Sequence, residues 1–193
     1  MKNTLIYASV WMLFFCTKSI TSTAQTEAEM KAWQAYMTPG DMHKVLAQTE
    51  GEWTTEGKMW MDPKSEPMIS KGECTYKMVL GGRYQETQFK GDMMGQQFEG
   101  KGVMAYDNYK KQFESTWIDN MGSGIMKTEG NYDPATKTFT MTGKLIDPMT
   151  SKECTVRETL KIVDDDTHVM TMYNTVGSQP EFKTMELTFK RKK

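Results

Sequence analysis

From Glu52 almost to the carboxyl terminus, apolar and polar residues alternate with a period of two, and turn-forming residues interrupt the alternation about every ten positions. Successive side chains of a strand face opposite ways, so this alternation commits the chain to strands with one buried face. Ten strands are expected, near residues 52–61, 69–79, 83–90, 96–106, 111–119, 124–132, 137–145, 152–163, 167–176 and 181–190. The breaks between them are Asp62-Pro63, Gly81-Gly82, Gly91-Asp92, Asp107-Asn108, Asp133-Pro134, Asp147-Pro148 and Gly177, residues suited to tight hairpins. Gly81-Gly82-Arg83 is not a phosphate loop, because no helix follows to present its amino end to an anion. An open sheet of ten hairpin-linked strands would leave two unpaired edges, and closure into an up-and-down barrel removes them.

The segment before the strands divides in two. Lys2 gives a small positive start, Leu5 to Phe15 is almost wholly apolar, and Ser22-Thr23-Ala24 supplies small side chains for cleavage. Residues 1–24 read as a secretory signal, too short in its apolar run for a permanent bilayer span. The mature chain is expected from Gln25, exported to a periplasmic or secreted destination, with no transmembrane span after signal removal. Lipid attachment at Cys16 is the rival reading, weakened by Phe15, where lipoprotein processing wants a small residue. Without residues 1–24 the chain carries 22 basic and 25 acidic residues, net −3, so nucleic acid is not an expected partner. Residues 25–50 read as two short helices. Met30, Trp33 and Met37 fall at helical spacing in the first; Thr38 is the expected cap of the second, with Pro39 at its first position and Asp41 near its positive end. The barrel then occupies 51–193.

Gly51-Glu52-Trp53 resembles the Gly-x-Trp that opens lipocalin-like barrels. Pro39-Gly40-x-x-His43-Lys44, Leu80-Gly81-Gly82-Arg83, Phe98-x-Gly100, Tyr106-Asp107 and Trp117-Ile118-Asp119 together resemble a bacterial domain of unknown function, number 1579, from about Tyr36 to the end. The resemblance implies an all-β fold: an antiparallel up-and-down lipocalin-like (calycin) barrel of about ten strands, with two short helices at its amino end. It brings no established activity or ligand. It also implies that a basic residue of the last strand, Arg191 or Lys190, packs over Trp53 by a cation–π contact. Haem-binding relatives among small ten-stranded barrels use a histidine close to the carboxyl end, and none follows His168 here.

Turns of a meander alternate between the two ends of the barrel. Trp53, Gly81-Gly82-Arg83, Tyr106-Asp107, Asp133 and Asp164-Asp165-Asp166 belong to one end, which the helices should cover and Trp53 with Arg191 should close. The opposite end should be the mouth, and its rim gathers Met59, Met61, Met93, Met94, Met121 and Met149. Flexible thioethers make an adaptable apolar surface for a ligand or a protein partner, although methionine is abundant throughout this chain. Parity turns Tyr76, Phe98, Met104, Tyr106, Trp117, Met126 and Met141 inward, to fill the barrel or to line a pocket.

Several residues invite sharper chemistry. His168, Met170 and Met172 share one face and form a soft ligand set suited to Cu(I); ordinary core is the commoner role of such a stripe. Arg83 shares parity with Phe89, which would turn its guanidinium inward to anchor a carboxylate; a surface or structural ion pair is the commoner role of such an arginine. Asp119 should sit at the mouth, too far away to form one pair with Arg83. Asp164-Asp165-Asp166 reads as an acidic turn, lacking the spaced ligands of a calcium loop. Cys74 and Cys154 fall on non-adjacent strands and are expected as two unbridged inward thiols. No nucleophile with its base, metal cluster or close carboxylate pair is evident, so no catalytic residue and no metal site is assigned. The reading that follows is an exported protein binding a small hydrophobic or amphipathic molecule. A filled structural or interaction barrel is the alternative, and an enzyme acting on a lipid-like or carbonyl substrate comes third.

Overall fold

The computed structural model describes residues 26–193 apart from Met94. The expected signal segment, the Cys16 alternative, the start at Gln25 and the rim position Met94 lie outside the described residues. Two helices, α1 (Glu27–Met37) and α2 (Asp41–Gln48), precede ten strands. These are β1 (Gly51–Met59), β2 (Met68–Val79), β3 (Tyr84–Met93), β4 (Gln96–Asp107), β5 (Gln112–Asp119), β6 (Met126–Asp133), β7 (Thr138–Asp147), β8 (Lys152–Asp164), β9 (Thr167–Val176) and β10 (Phe182–Arg191). Each strand pairs antiparallel with the next, and β1 pairs with β10 to close the barrel. Closure leaves no ladder edge unpaired, the physical reason a single sheet of this length is tolerable.

Three of the hairpin turns share one construction. Asp107, Asp133 and Asp147 each accept backbone N–H bonds two residues on, at 2.7–2.9 Å, and the strand resumes after a residue in the left-handed region. Those residues are Lys111, Lys137 and Ser151, with φ of 58°, 53° and 57°. The Asp side chain thus replaces backbone pairing within the turn.

The start of α2 differs from expectation. Thr38 ends α1, where its hydroxyl donates to the Gln34 carbonyl at 2.6 Å, and Gly40 is the residue that precedes α2. His43 does the capping: its Nδ1 accepts the Gly40 N–H at 3.0 Å. The ring thus reaches back from the first turn to the residue before the helix, while Gly40 has no side chain to accept an N–H of that turn in the way expected of the Thr38 hydroxyl.

The helix α2 lies across one end of the barrel. Leu46 enters a cluster with Phe113, Phe139, Met141 and Ile162, all buried. Gln85 Nε2 ties the cap down by donating to the Leu46 carbonyl and to Thr49 Oγ1, both at 2.8 Å. A second cluster joins Trp53, Cys74, Leu187 and Phe189 beside it. The helix α1, in contrast, buries no residue and is held through Asn108 Nδ2, which donates to the Tyr36 and Thr38 carbonyls at 2.9 and 2.8 Å.

Candidate functional site in the barrel interior

The floor of the interior is built around Trp53, which is fully buried. Its indole N–H donates to the Thr49 carbonyl at 3.1 Å, and the His168 ring stacks on it with centroids 4.1 Å apart. Sheet register sets Arg191 opposite Trp53, and its Cζ lies 4.2 Å from the indole centroid. The guanidinium also donates to the carbonyls of Asp165 at 2.8 Å, Glu50 at 2.6 Å and Gln48 at 3.2 Å. One cation thus joins the end of α2, the β8–β9 turn and the floor. Lys190, the other basic residue considered for this position, points to the opposite face and donates to Thr167 Oγ1.

His168 is sealed in this floor, and neither of its ring nitrogens has a hydrogen-bond partner among the described residues. Burial, reinforced by Arg191, lowers its pKa to about 4, against which Asp164 acts weakly. The imidazole is therefore neutral at ordinary pH. Met170 and Met172 follow on the same face and are partly exposed within the barrel.

Above the floor the inward side chains change character. Trp117 lies flat along β4 because Gly100 and Gly102 carry no Cβ; a methyl at Gly100 would collide with the indole ring. Its indole N–H donates to Asp119 Oδ2 at 2.9 Å, and Asp119 Oδ1 accepts the Met121 N–H at 2.9 Å. The indole is thereby pressed to the wall rather than across the lumen. Tyr76, Met104, Met126, Met172, Asn174 and Met185 also face inward and keep part of their surface accessible. Of the remaining inward aromatics, Phe98 is buried against Phe89, with centroids 5.7 Å apart, and Tyr106 stacks near Phe113 at 4.9 Å.

Glu158 is the residue that sequence reasoning missed. Register pairs it with Met141 on one side and Met172 on the other, and the same row continues through Met185, Met59 and Met68. A single carboxyl group therefore stands in a row of five inward methionines. Burial pushes its pKa up to about 7, with no cation offsetting that effect. Nearby, burial is the main cause raising the Tyr76 hydroxyl well above its ordinary value, with Cys74 and then Glu158 adding to it. Burial pushes the Cys74 thiol up to about 12, and Cys154 is also raised, so both free thiols stay protonated and weakly nucleophilic. The Asn174 Oδ1 is buried without a partner among the described residues, on the strand beside Glu158.

Arg83 does not join this interior. The strand β3 begins one residue later, at Tyr84, so strand parity does not extend to Arg83; the side chain is exposed in the turn, where Nη1 donates to the Leu80 carbonyl at 3.1 Å. The rim methionines also differ among themselves. Met59 and Met93 are partly covered, whereas Met61, Met121 and Met149 are exposed, Met149 at 83%. No group of three His, Cys, Asp or Glu side chains is arranged to hold a metal ion among the described residues.

A barrel of this topology, floored by Trp53 and Arg191 and lined above by methionine, defines a lipocalin-like class. The chain belongs to the family described as Protein of unknown function (DUF1579), whose pattern matches residues 38–191. No curated protein sequence matches it. Among solved structures it is similar to Rv2717c from M. tuberculosis, with TM-score 0.61 and 14% identity, over 81% of this chain and 100% of that one. It is also similar to the S-type phycobiliprotein lyase CPES from Guillardia theta, with TM-score 0.56 and 8% identity, over 80% of this chain and 94% of that one. At such identities the likeness is one of fold.

Proposed function

We propose that this chain is an exported binding protein that holds one small hydrophobic or amphipathic molecule in the barrel, entering at the end opposite Trp53. The observation that carries the reading is the contrast within the inward-facing set. Floor residues such as Trp53, Phe113, Phe139 and His168 are at most 1% exposed, whereas Tyr76, Met172, Glu158 and Trp117 are surrounded by strands yet keep accessible surface. Large side chains that face inward but are not filled in by their neighbours line space, and space walled by thioethers and aromatics suits an apolar guest. Export rests on residues 1–24 alone. The fold shared with a phycobiliprotein lyase is compatible with a small guest and does not identify it.

Native mass spectrometry of the protein secreted by its host and purified without detergent tests the reading. A single small molecule should accompany the folded chain at one copy and leave on denaturation, and the intact mass should begin at Gln25. A chain that is repeatedly empty and takes up no added amphiphile would overturn the binding role; retention of residues 1–24 would overturn export.

A further inference from the structure

We propose that the interior selects amphipathic molecules with a protonated amine head, seated on Glu158 with the apolar body along the methionine row. This deepens the binding role and rests on it. Three observations converge. The first is the sign of charge inside. Below the rim, the described inward positions of the ten strands carry one carboxyl group, Glu158, and one cation, Arg191, the inward His168 being neutral. Arg191 is at the floor and is engaged by three carbonyls and the Trp53 ring. At the rim the inward parity adds Asp119 and Asp147 against an exposed Lys152. A carboxylate-headed lipid entering here would meet two acids beside Lys152 at the rim and, below the rim, no described cation free of partners.

The second observation is the lack of any partner for Glu158. No ion pair or hydrogen bond from a described residue reaches its carboxyl group, whereas the neighbouring Arg157 on the outer wall is paired with Glu181 at 2.7 Å. An unpaired carboxylate enclosed by a barrel wall is costly, and an ammonium group delivered by a guest would supply both the counter-charge and the donor. The third is Asn174. Its buried Oδ1 also lacks a donor, and its register partner Val156 lies two residues before Glu158 on the same face. Two acceptors without donors on neighbouring strands favour a guest head that donates more than one hydrogen bond, as an ammonium group does. From Glu158 the row Met172, Met185, Met59 and Met68 then offers a continuous apolar track toward the mouth, with the buried Met141 on the floor side of Glu158.

Isothermal titration with three probes of equal chain length, dodecylammonium, dodecanol and dodecanoate, at neutral pH and below their micelle concentrations, tests this directly. The wild-type protein should bind dodecylammonium at least about tenfold more tightly than dodecanol, with dodecanoate weakest, a charge-assisted contact being the difference. In Glu158→Gln the amine should fall to the affinity of the alcohol while the alcohol is unchanged, which also shows that the interior is intact. Equal binding of all three probes, a preference for dodecanoate, or an amine preference that survives Glu158→Gln would overturn the assignment of the head group and leave the binding role standing. Failure of every probe to bind would overturn this inference and count against the binding role as well.

Discussion

The two halves of the barrel interior are built from the same alternating strands and treat polar groups in opposite ways. At the Trp53 end, the polar groups that bear weight are matched: the Trp53 indole with Thr49, Gln85 with Leu46 and Thr49, and Arg191 with three carbonyls. In the other half, Glu158 and the Asn174 oxygen are left without donors. The difference teaches where this fold holds itself together and where it remains available. A matched buried network fixes one arrangement, whereas unmatched acceptors lower stability, and breaches of this kind concentrate at functional or strained sites. The floor has its own exception in His168 and Thr55 Oγ1, which are unpartnered, but His168 is fully buried and stacked on Trp53, with no route for a guest.

The comparison breaks most visibly at Trp53. Trp53→Ala removes the ring that α2, His168 and Arg191 all contact, and should cost about 3–5 kcal/mol in urea denaturation. A loss below about 1 kcal/mol would mean that the floor is not the anchor described.

Next in size is the pH dependence, where the two halves should pull against each other. Glu158 has a folded pKa of about 7 against 4.5 ordinarily, so the folded chain holds an extra proton between those values. It therefore costs stability as pH rises from 4.5 to about 7, and Glu158→Gln should recover at most about 3 kcal/mol at pH 8 and nothing below pH 4. His168 runs the other way, its pKa falling from 6.5 to about 4, so its share of stability is whole above pH 6.5 and is lost as pH drops toward 4. Denaturation midpoints measured across this range should be flatter for the wild type than for Glu158→Gln, which should lose stability on acidification. A Glu158→Gln curve parallel to the wild type would show that the carboxyl group is solvated rather than enclosed.

Arg191→Met tests the floor more gently. Losing the cation–π contact and the carbonyl bonds should cost about 2 kcal/mol, with part of the packing over Trp53 preserved by the thioether. The smallest effect belongs to the turns. Lys137 holds φ of 53°, a conformation glycine adopts freely, so Lys137→Gly should stabilise by about 0.5–1 kcal/mol by thermal denaturation, with no change in guest binding.

The ten strands and their facing were legible in the sequence because alternation and turn residues are local signals, and closure follows from the cost of free edges. The expected strand limits differ from the observed ones by at most three residues, mainly where ladder pairing runs past the last alternating residue, as at Met93. The motifs that carry the family resemblance prove to be structural fixtures: His43 caps α2, Gly100 makes room for Trp117, and Asp119 holds the indole N–H. They locate the wall of the interior and say nothing of a guest. Glu158 was within reach, since Cys154, Val156 and Leu160 fix its parity, but a lone acid inside a barrel runs against the rule that buried charges are paired. The inward alternative for Arg83 fails because it carries parity across the boundary between turn and strand, while the commoner surface role agrees with the exposed position in the turn. The space between inward side chains depends on barrel shear and rotamers, neither of which is written in local alternation.

The central claim is that the half of the barrel away from Trp53 is an open, apolar container. Fluorescence titration with the neutral dye N-phenyl-1-naphthylamine measures this without invoking the head group. One dye per chain should bind with a blue-shifted, enhanced emission, and Met172→Trp, which places a large ring inside, should abolish it while circular dichroism stays unchanged. No binding by the wild type, or equal binding by a folded Met172→Trp, would contradict the account.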